Sequence, residues 1–242
     1  MAPNVALPAL GAVVGLVAMV AMALPAAAAV TGTVANGVLT ITTDAPADAI
    51  AVTCVGSVVK VNGADPTSGS TFCSAITSIV VTSGTGANAI NLSLVTTGNG
   101  FTTMTGAIIN GGGDDDTIQG SLFADTINGG AGADTIDGLG GNDTITGGTG
   151  NDTVNGDDGN DGIVWNNGDG SDVVDGNAGT DVQQVNGAGV ADVLTITPTA
   201  PRVTFARTNA GPFTIDMGTV EGLDVNSLGG EDSITAAAGS PR

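Results

Sequence analysis

The chain contains 242 residues, with 40 glycines, 24 acidic side chains against 4 lysines and arginines, and no histidine. The absence of histidine excludes His-based nucleophile systems and His-ligated zinc or haem sites. A formal charge of −20 argues against binding to nucleic-acid phosphates, and an aromatic content of 2% argues against a large aromatic core. Many glycines and aspartates, with few large side chains, predict a thin, repetitive, turn-rich chain.

The first 29 residues carry no charged side chain and are rich in Ala, Val, Leu and Met. The apolar run Ala9–Leu24 has the length of the hydrophobic region of a signal peptide, and Ala27–Ala29 supplies small residues for cleavage before Val30. We expect cleavage, which leaves residues 30–242 outside the cytoplasm with no membrane span. A retained anchor from Val5 to Ala29 is the alternative.

Two cysteines, Cys54 and Cys73, lie in a stretch rich in valine and threonine. In an oxidising compartment an isolated pair is most simply one disulfide, which would close a loop of about 20 residues and contribute roughly 3 kcal/mol. A redox pair would favour the CxxC spacing, which is absent. The pair therefore predicts a structural disulfide.

Short β segments separated by Gly and Asn turns precede residue 110. The segment Gly84–Ile90 resembles a degenerate copy of the repeat described next, with Asn88 in the place of its aspartate. Predicted strands in this part are Val38–Thr42, Val58–Val61, Ser78–Val81 and Ile90–Val95.

A nine-residue repeat occupies the middle of the chain. One aspartate recurs in each unit, and an Ile or Val follows it by two positions except in the last unit, which has Gln183. A two-residue insertion at Trp165–Asn166 lengthens one step to eleven, and glycines fill the turns, as in Gly129–Ile136. The recurring aspartates are Asp116, Asp125, Asp134, Asp143, Asp152, Asp161, Asp172 and Asp181.

These units resemble the RTX, or hemolysin-type, calcium-binding nonapeptide GGxGxDxUx. The resemblance covers Gly111–Gln184. It implies a parallel β-roll in which each nonapeptide forms a Gly-rich turn and a short strand, and two nonapeptides make one coil. It also implies Ca²⁺ between stacked turns two units apart, such as Asp134 with Asp152 and Asp125 with Asp143. Turn carbonyls would supply the remaining ligands.

The residue types support this interpretation independently of the family. Glycine allows the turn conformations and lets carbonyl groups converge, and aspartate is a hard oxygen ligand of the kind that calcium requires. One Ile or Val in nine residues cannot offset the ordering entropy of so many glycines. We therefore expect the repeats to be disordered without calcium and ordered at roughly 0.1–1 mM. A calcium-free solenoid is the alternative.

Some units depart from the consensus. Unit 120–128 has lost most of its glycines, so its turn should be reshaped and its site weakened, and Leu139 replaces a glycine in another unit. We expect four principal ligands, with Asp116, Asp125, Asp172 and Asp181 as the irregular positions. The principal ligands are Asp134, Asp143, Asp152 and Asp161.

The C-terminal part also reads as strands, and Leu228–Ile234 repeats the motif once more. We predict an all-β protein, a parallel β-roll or solenoid flanked by short β-strand regions. Its predicted regions are 1–29 (signal peptide), 30–110 (N-terminal β region with the disulfide), 111–184 (calcium-binding repeats) and 185–242 (C-terminal β region or cap). Predicted strands are Val193–Thr197, Val203–Arg207, Phe213–Asp216 and Val220–Val225.

These observations predict a secreted, extracellular calcium-binding protein of bacterial type, structural, surface-associated or adhesive, with cell-surface or matrix glycans as candidate partners. We do not expect an enzyme, because a nucleophile motif and a second domain of enzyme size are lacking. One alternative is a module or remnant of a glycan-acting enzyme, with Asp216, Glu221 and Asp224 as its candidate carboxylates. Another is a face that binds ordered water or a glycan through a threonine row, Thr117, Thr126, Thr135, Thr144 and Thr153.

Overall fold

The computed structural model describes residues 30–43, 47–209, 211–226 and 229–237, and the predicted signal segment lies outside these ranges. The described chain consists of β-strands and two short 3-10 turns, Cys73–Ala75 and Thr97–Asn99. No helix in these ranges has the length and apolar character needed to cross a membrane. The strands are β1 (Gly32–Ala35), β2 (Val38–Thr42), β3 (Ala49–Val55), β4 (Val58–Val61), β5 (Ser78–Thr82), β6 (Ala89–Asn91), β7 (Ala107–Gly113), β8 (Thr117–Gln119), β9 (Thr126–Ala131), β10 (Thr135–Asp137), β11 (Thr144–Thr149), β12 (Thr153–Asp158), β13 (Gly162–Asn166), β14 (Asp172–Ala178), β15 (Val182–Asn186), β16 (Val193–Thr199), β17 (Arg202–Arg207), β18 (Phe213–Gly218), β19 (Gly222–Asn226) and β20 (Ser233–Ala236).

These strands form two sheets, which we call the first and second sheets. The first runs β1-β2-β5-β7-β9-β11-β13-β15-β19, and the second runs β20-β16-β17-β18-β14-β12-β10-β8-β6-β3-β4. Successive nonapeptides alternate between the two, so each strand pairs in parallel with the strand two units later. The predicted all-β fold with a parallel β-roll is confirmed.

The repeating apolar residue forms the core of the roll. In the second sheet Ile136 lies beside Ile118 and Val154, and in the first sheet Ile145 lies beside Ile127 and Ile163. All of these side chains are buried. Because side chains alternate across a strand, one apolar residue per unit is enough to fill a thin space shared by both sheets. The two-residue insertion leaves the register of the strands intact, because Gly150 still forms a β-bridge with Gly170. The two extra residues are accommodated in the chain before Gly170.

Both flanking regions join the same two sheets. At the N-terminal end β2, β5 and β7 extend the first sheet, and β3 and β6 extend the second. The predicted disulfide between Cys54 and Cys73 is confirmed, with the Cα atoms 6.0 Å apart. At the C-terminal end an antiparallel hairpin of β16 and β17 leads into β18, which returns in parallel to β14.

One predicted strand is too long. The segment Ile90–Val95 leaves the extended conformation after Asn91, where the Asn91 Oδ1 accepts hydrogen bonds from the backbone N–H and the hydroxyl of Ser93. An Asn side chain that satisfies local donors competes with a strand ladder, which explains the early end. Leu92 and Val95 are nevertheless buried. Their apolar character therefore reflects core packing after a turn.

Candidate metal centre

The recurring aspartates stack into two rows at the turns of the roll. In each row the backbone N–H of one residue donates to a side-chain oxygen in the next coil, over 2.6–3.0 Å. Because neighbours are two nonapeptides apart, Asp134 meets Asp152 and Asp125 meets Asp143. The first row is Asn88, Asp116, Asp134, Asp152 and Asp172, and the second row is Asp125, Asp143, Asp161, Asp181 and Glu221.

One carboxylate oxygen in most of these residues has no donor. The Oδ1 atom accepts the backbone N–H just described, whereas the Oδ2 atom is buried and has no hydrogen-bond partner. Leaving a buried charged acceptor unpaired is strongly unfavourable, so a proton or a cation beside each such oxygen would stabilise the folded chain. The residues with an unpartnered Oδ2 in the rows are Asp116, Asp134, Asp143, Asp152, Asp161 and Asp181.

Most of the unpartnered oxygens lie beside a glycine that a backbone carbonyl oxygen also approaches. A Cβ on Gly129 would overlap both the Oδ2 of Asp134 and the carbonyl oxygen of Gly147 from the next coil. The same arrangement occurs at Gly138, beside the Oδ2 of Asp143. Only glycine leaves room here, because a Cβ would overlap both oxygens, and a cation near this point would have a carboxylate and a carbonyl oxygen as ligands.

The electrostatics of the rows agree with this geometry. Burial, reinforced by neighbouring carboxylates, raises the pKa of Asp143 to about 8 and that of Asp152 to about 7. Burial likewise raises the pKa of Asp116 and of Asp172 to about 6. The N–H donors within the row oppose these shifts without cancelling them. The folded chain thus favours a positive charge, proton or metal, beside these four carboxylates.

Asn88 shows what satisfies the position without a metal. It occupies the row as the aspartates do, with its N–H on Asp116 Oδ1 and its own Oδ1 accepting from Asp48. Its Nδ2 stands in for the second carboxylate oxygen and donates to the carbonyls of Gly86 at 2.6 Å and Gly111 at 3.4 Å. The carbonyl oxygens around this position therefore accept a donor when the side chain carries one.

Asp125 is satisfied in a different way. Its Oδ2 accepts the backbone N–H of Ser121 at 2.6 Å, and its Oδ1 accepts the Ser121 hydroxyl at 2.8 Å as well as the N–H of Ala107. The unit that lost its turn glycines thus supplies protein donors to its own carboxylate. The weaker calcium binding expected of unit 120–128 stays a prediction.

A third solution appears after the repeats, at Asp192. This residue lies in a short row of its own, with its N–H on Asp232 Oδ1. The guanidinium of Arg207 lies 3.3 Å from Asp192 Oδ1, and both side chains are almost fully buried. Arg207 also packs over the ring of Phe213, which stacks on Trp165. The Asp192 Oδ2 atom accepts the backbone N–H of Ala188 at 3.3 Å, so both oxygens of this carboxylate have donors from the protein.

The structure thus divides the predicted ligands by whether their Oδ2 atom has a hydrogen-bond partner. All four principal aspartates carry an unpartnered Oδ2, and so do Asp116 and Asp181. Asp125 has its donors, and Asp172 shares the row while its oxygens are outside the unpartnered set. Within the described ranges no three acidic side chains converge on one point, so a cation would be held by carboxylates together with backbone carbonyls. Calcium ligation by these residues stays a prediction.

Asp192, Arg207 and the row position of Glu221 were not predicted from the sequence. They lie 15 to 40 residues from their partners, beyond the nine-residue period that revealed the other positions.

The three candidate carboxylates for an enzyme do not form one cluster. Asp216 lies in the second sheet with Arg202 at 3.0 Å, Glu221 lies in a turn bound to Asp181, and Asp224 lies in the first sheet. The threonine row is divided as well. Thr117, Thr135 and Thr153 lie in the second sheet, and Thr126 and Thr144 lie in the first.

Comparison with known proteins identifies the family of the repeats. The model of the RTX calcium-binding nonapeptide repeat family, in four copies, matches residues 110–145, 137–164 and 168–182. A search of the curated proteins gives no significant match. Among solved structures, the solution structure of the AlgE6R3 subunit from the Azotobacter vinelandii mannuronan C5-epimerase is 21% identical over 46% of this chain and 70% of that one. Its TM-score is 0.22, so the fold rests on the strand pairing described above. The chain therefore carries RTX calcium-binding nonapeptide repeats, folded as a parallel β-roll.

Proposed function

We propose that this protein is a secreted, non-catalytic structural protein whose repeats fold when they bind Ca²⁺. The observation that carries the proposal is the set of six buried Oδ2 atoms without a donor, five of which lie beside a glycine that a backbone carbonyl oxygen also approaches. The available ligands are carboxylate and carbonyl oxygens, which suit a hard cation such as calcium. Bound calcium supplies positive charge between the stacked turns of residues 111–184, a segment that contains no lysine or arginine.

Folding and binding are coupled because the rows are unfavourable without the ion. The chain has 24 acidic side chains against 4 basic ones, and the roll places carboxylates one above another. Each nonapeptide buries only one Ile or Val in return for ordering several glycines. Calcium neutralises the repulsion and links neighbouring coils, so its binding free energy becomes folding free energy. A stiff, fully ordered β-roll would then be favoured where calcium is abundant.

An extracellular location is consistent with these requirements. Extracellular calcium-binding modules have dissociation constants for calcium of roughly 0.1–1 mM. The Cys54–Cys73 disulfide also supports export, because disulfides persist in oxidising compartments. The test is mass spectrometry of protein recovered from the culture medium of an expressing bacterium. An N-terminus at Val30 supports export with cleavage, whereas retention in the cytoplasm with Met1 intact contradicts it.

A structural role also fits the arrangement of polar side chains better than catalysis does. Asp216 already pairs with Arg202, and Glu221 accepts a backbone hydrogen bond, so the candidate carboxylates have partners in separate places. Division of the threonines over two sheets reduces the regular outward face that ordered water or a glycan would require. We therefore propose that stiffening, surface association or adhesion is the role of the calcium-bound roll.

The decisive experiment is a calcium titration of the full chain followed by far-UV circular dichroism, with magnesium as the control. We expect a cooperative gain of β structure with calcium that magnesium does not reproduce, because Mg²⁺ demands a smaller octahedral site and holds its water tightly. Identical β spectra in calcium and in chelator would overturn metal-coupled folding and would make the repeats a metal-free solenoid.

A further inference from the structure

We propose that Glu221 and Asp181 form a further calcium site that joins the C-terminal strands to the repeats. The inference rests on the calcium-binding function proposed above. Glu221 lies outside the nonapeptides, 40 residues after Asp181, and no period in the sequence relates the two. The site depends on the return of the chain from the C-terminal hairpin onto the last repeat.

The Glu221 carboxylate repeats the contact that defines the rows. Its Oε2 accepts the backbone N–H of Asp181 at 2.8 Å, and Asp181 Oδ1 accepts the N–H of Asp161 at the same distance. The strand that follows Glu221, β19, pairs in parallel with β15, and Gly222 lies beside Val182. Glu221 therefore occupies the position of the aspartate in one further coil.

Asp181 has the unpartnered oxygen that the other sites have. The side chain is fully buried, and its Oδ2 has no hydrogen-bond partner. The carbonyl oxygen of Thr219 also approaches Gly176, and this oxygen and the Asp181 Oδ2 are each 2.5 Å from the position that a Cβ on Gly176 would take. The same relation holds between Asp134, Gly129 and the carbonyl of Gly147 inside the repeats.

Turn length explains why a glutamate is found at this position. The turn of the last repeat runs from Asp175 to Val182. The residues that pair with these two in the next coil are Gly218 and Gly222, which are only four positions apart. A shorter turn carries the backbone less far outward, and the additional methylene group of glutamate lets its carboxylate reach Asp181. Thr219 adopts a positive φ of 47° in this turn, as Asn177 does at 68° in the turn below.

This site would control how the C-terminal strands attach to the roll. The turn that holds Glu221 connects β18, which extends the second sheet, to β19, which extends the first. A cation bound there would hold both strands against the last repeat. Trp165 reports on the same region because its ring stacks on Phe213 of β18, with centroids 3.8 Å apart.

The test counts calcium ions bound by the full chain, using equilibrium dialysis and isothermal titration calorimetry. The variants are Glu221→Gln and, as a matched control, Glu231→Gln, which removes the same charge from an exposed position ten residues later in the chain. We expect Glu221→Gln to lose one ion, or to weaken one binding step about tenfold or more, while Glu231→Gln binds as the unmodified chain does.

An unchanged count and affinity in Glu221→Gln, with calcium still bound by the unmodified chain, would overturn this site and leave the proposed function intact. Absence of calcium binding in the unmodified chain would overturn both. If Glu221→Gln alters Trp165 emission without calcium, the count is repeated on Glu221→Asp, which keeps the charge and shortens the side chain. Loss of the ion in that variant supports the site, and an unchanged count overturns it.

Discussion

Replacing Asp143 by asparagine should have opposite effects with and without calcium. Asp143 is buried and its Oδ2 has no donor. The Oδ2 atom and the carbonyl oxygen of Gly156 both lie beside Gly138. Asn88 provides the precedent for the substitution, since its amide donates to the carbonyls at the equivalent position. Asp143→Asn should therefore stabilise the calcium-free roll and weaken calcium binding.

The magnitude follows from the pKa of Asp143, which burial raises from 3.8 to about 8. The folded state then binds the proton more tightly than the unfolded state, so stability is highest below pH 3.8 and falls as the pH rises towards 8. The resulting penalty on the folded state is roughly 4 kcal/mol at pH 7 and about 2 kcal/mol at pH 5. Asparagine removes it at either pH, so the calcium-free gain should be at most about 4 kcal/mol at pH 7.

The assay measures β content by far-UV circular dichroism and urea midpoints in chelator and in calcium, at pH 7 and pH 5. Asp158→Asn is the matched control, because it removes one negative charge from an exposed position in the same region. In chelator we expect Asp143→Asn to be the more structured variant, with a smaller difference at pH 5. In calcium we expect its binding midpoint to rise about tenfold or more, whereas Asp158→Asn changes little.

A calcium-free Asp143→Asn that is less stable than Asp158→Asn would refute the reasoning, because it would mean that the buried carboxylate is already satisfied. Equal calcium midpoints for the two variants would refute the ligand assignment.

Three further outcomes follow from the same geometry. Asn88→Asp should lower calcium-free stability by about 1–3 kcal/mol and add a calcium-dependent increment, measured by urea unfolding in chelator and in calcium; a variant that is more stable without calcium would contradict this. Acidifying the calcium-free chain from pH 8 to pH 5.5 should raise its β content, measured by circular dichroism, because the row carboxyls have raised pKa values and the folded state takes up protons. A loss of β signal would contradict this prediction. Gly150→Ala should abolish the ordered stacking of the coils, since its Cβ would overlap the Gly132 carbonyl. Gly168 has a positive φ and open space around it, so Gly168→Ala should lower stability by only about 1–2 kcal/mol in thermal unfolding.

Much of the fold was predictable because the repeat is local. A nine-residue period places one inward Ile or Val and one turn aspartate in every unit, and strands such as β2 and β4 have the predicted bounds. The disulfide was predictable because only two cysteines are present. Ile90–Val95 was predicted too long, because apolar residues after a turn resemble a strand when the local Asn91 hydrogen bonds are not known.

The sequence by itself determined the period, the composition of the turns and the identity of the eight recurring aspartates. The tertiary structure decided which of them lack a donor, and the reason is that the partners come from distant parts of the chain. Ser121 donates to Asp125 within the same unit, but the row contacts join residues that are 18 to 40 positions apart. Glu221 reaches Asp181 across 40 residues, and such contacts depend on how coils of unequal length stack, which a local period does not encode.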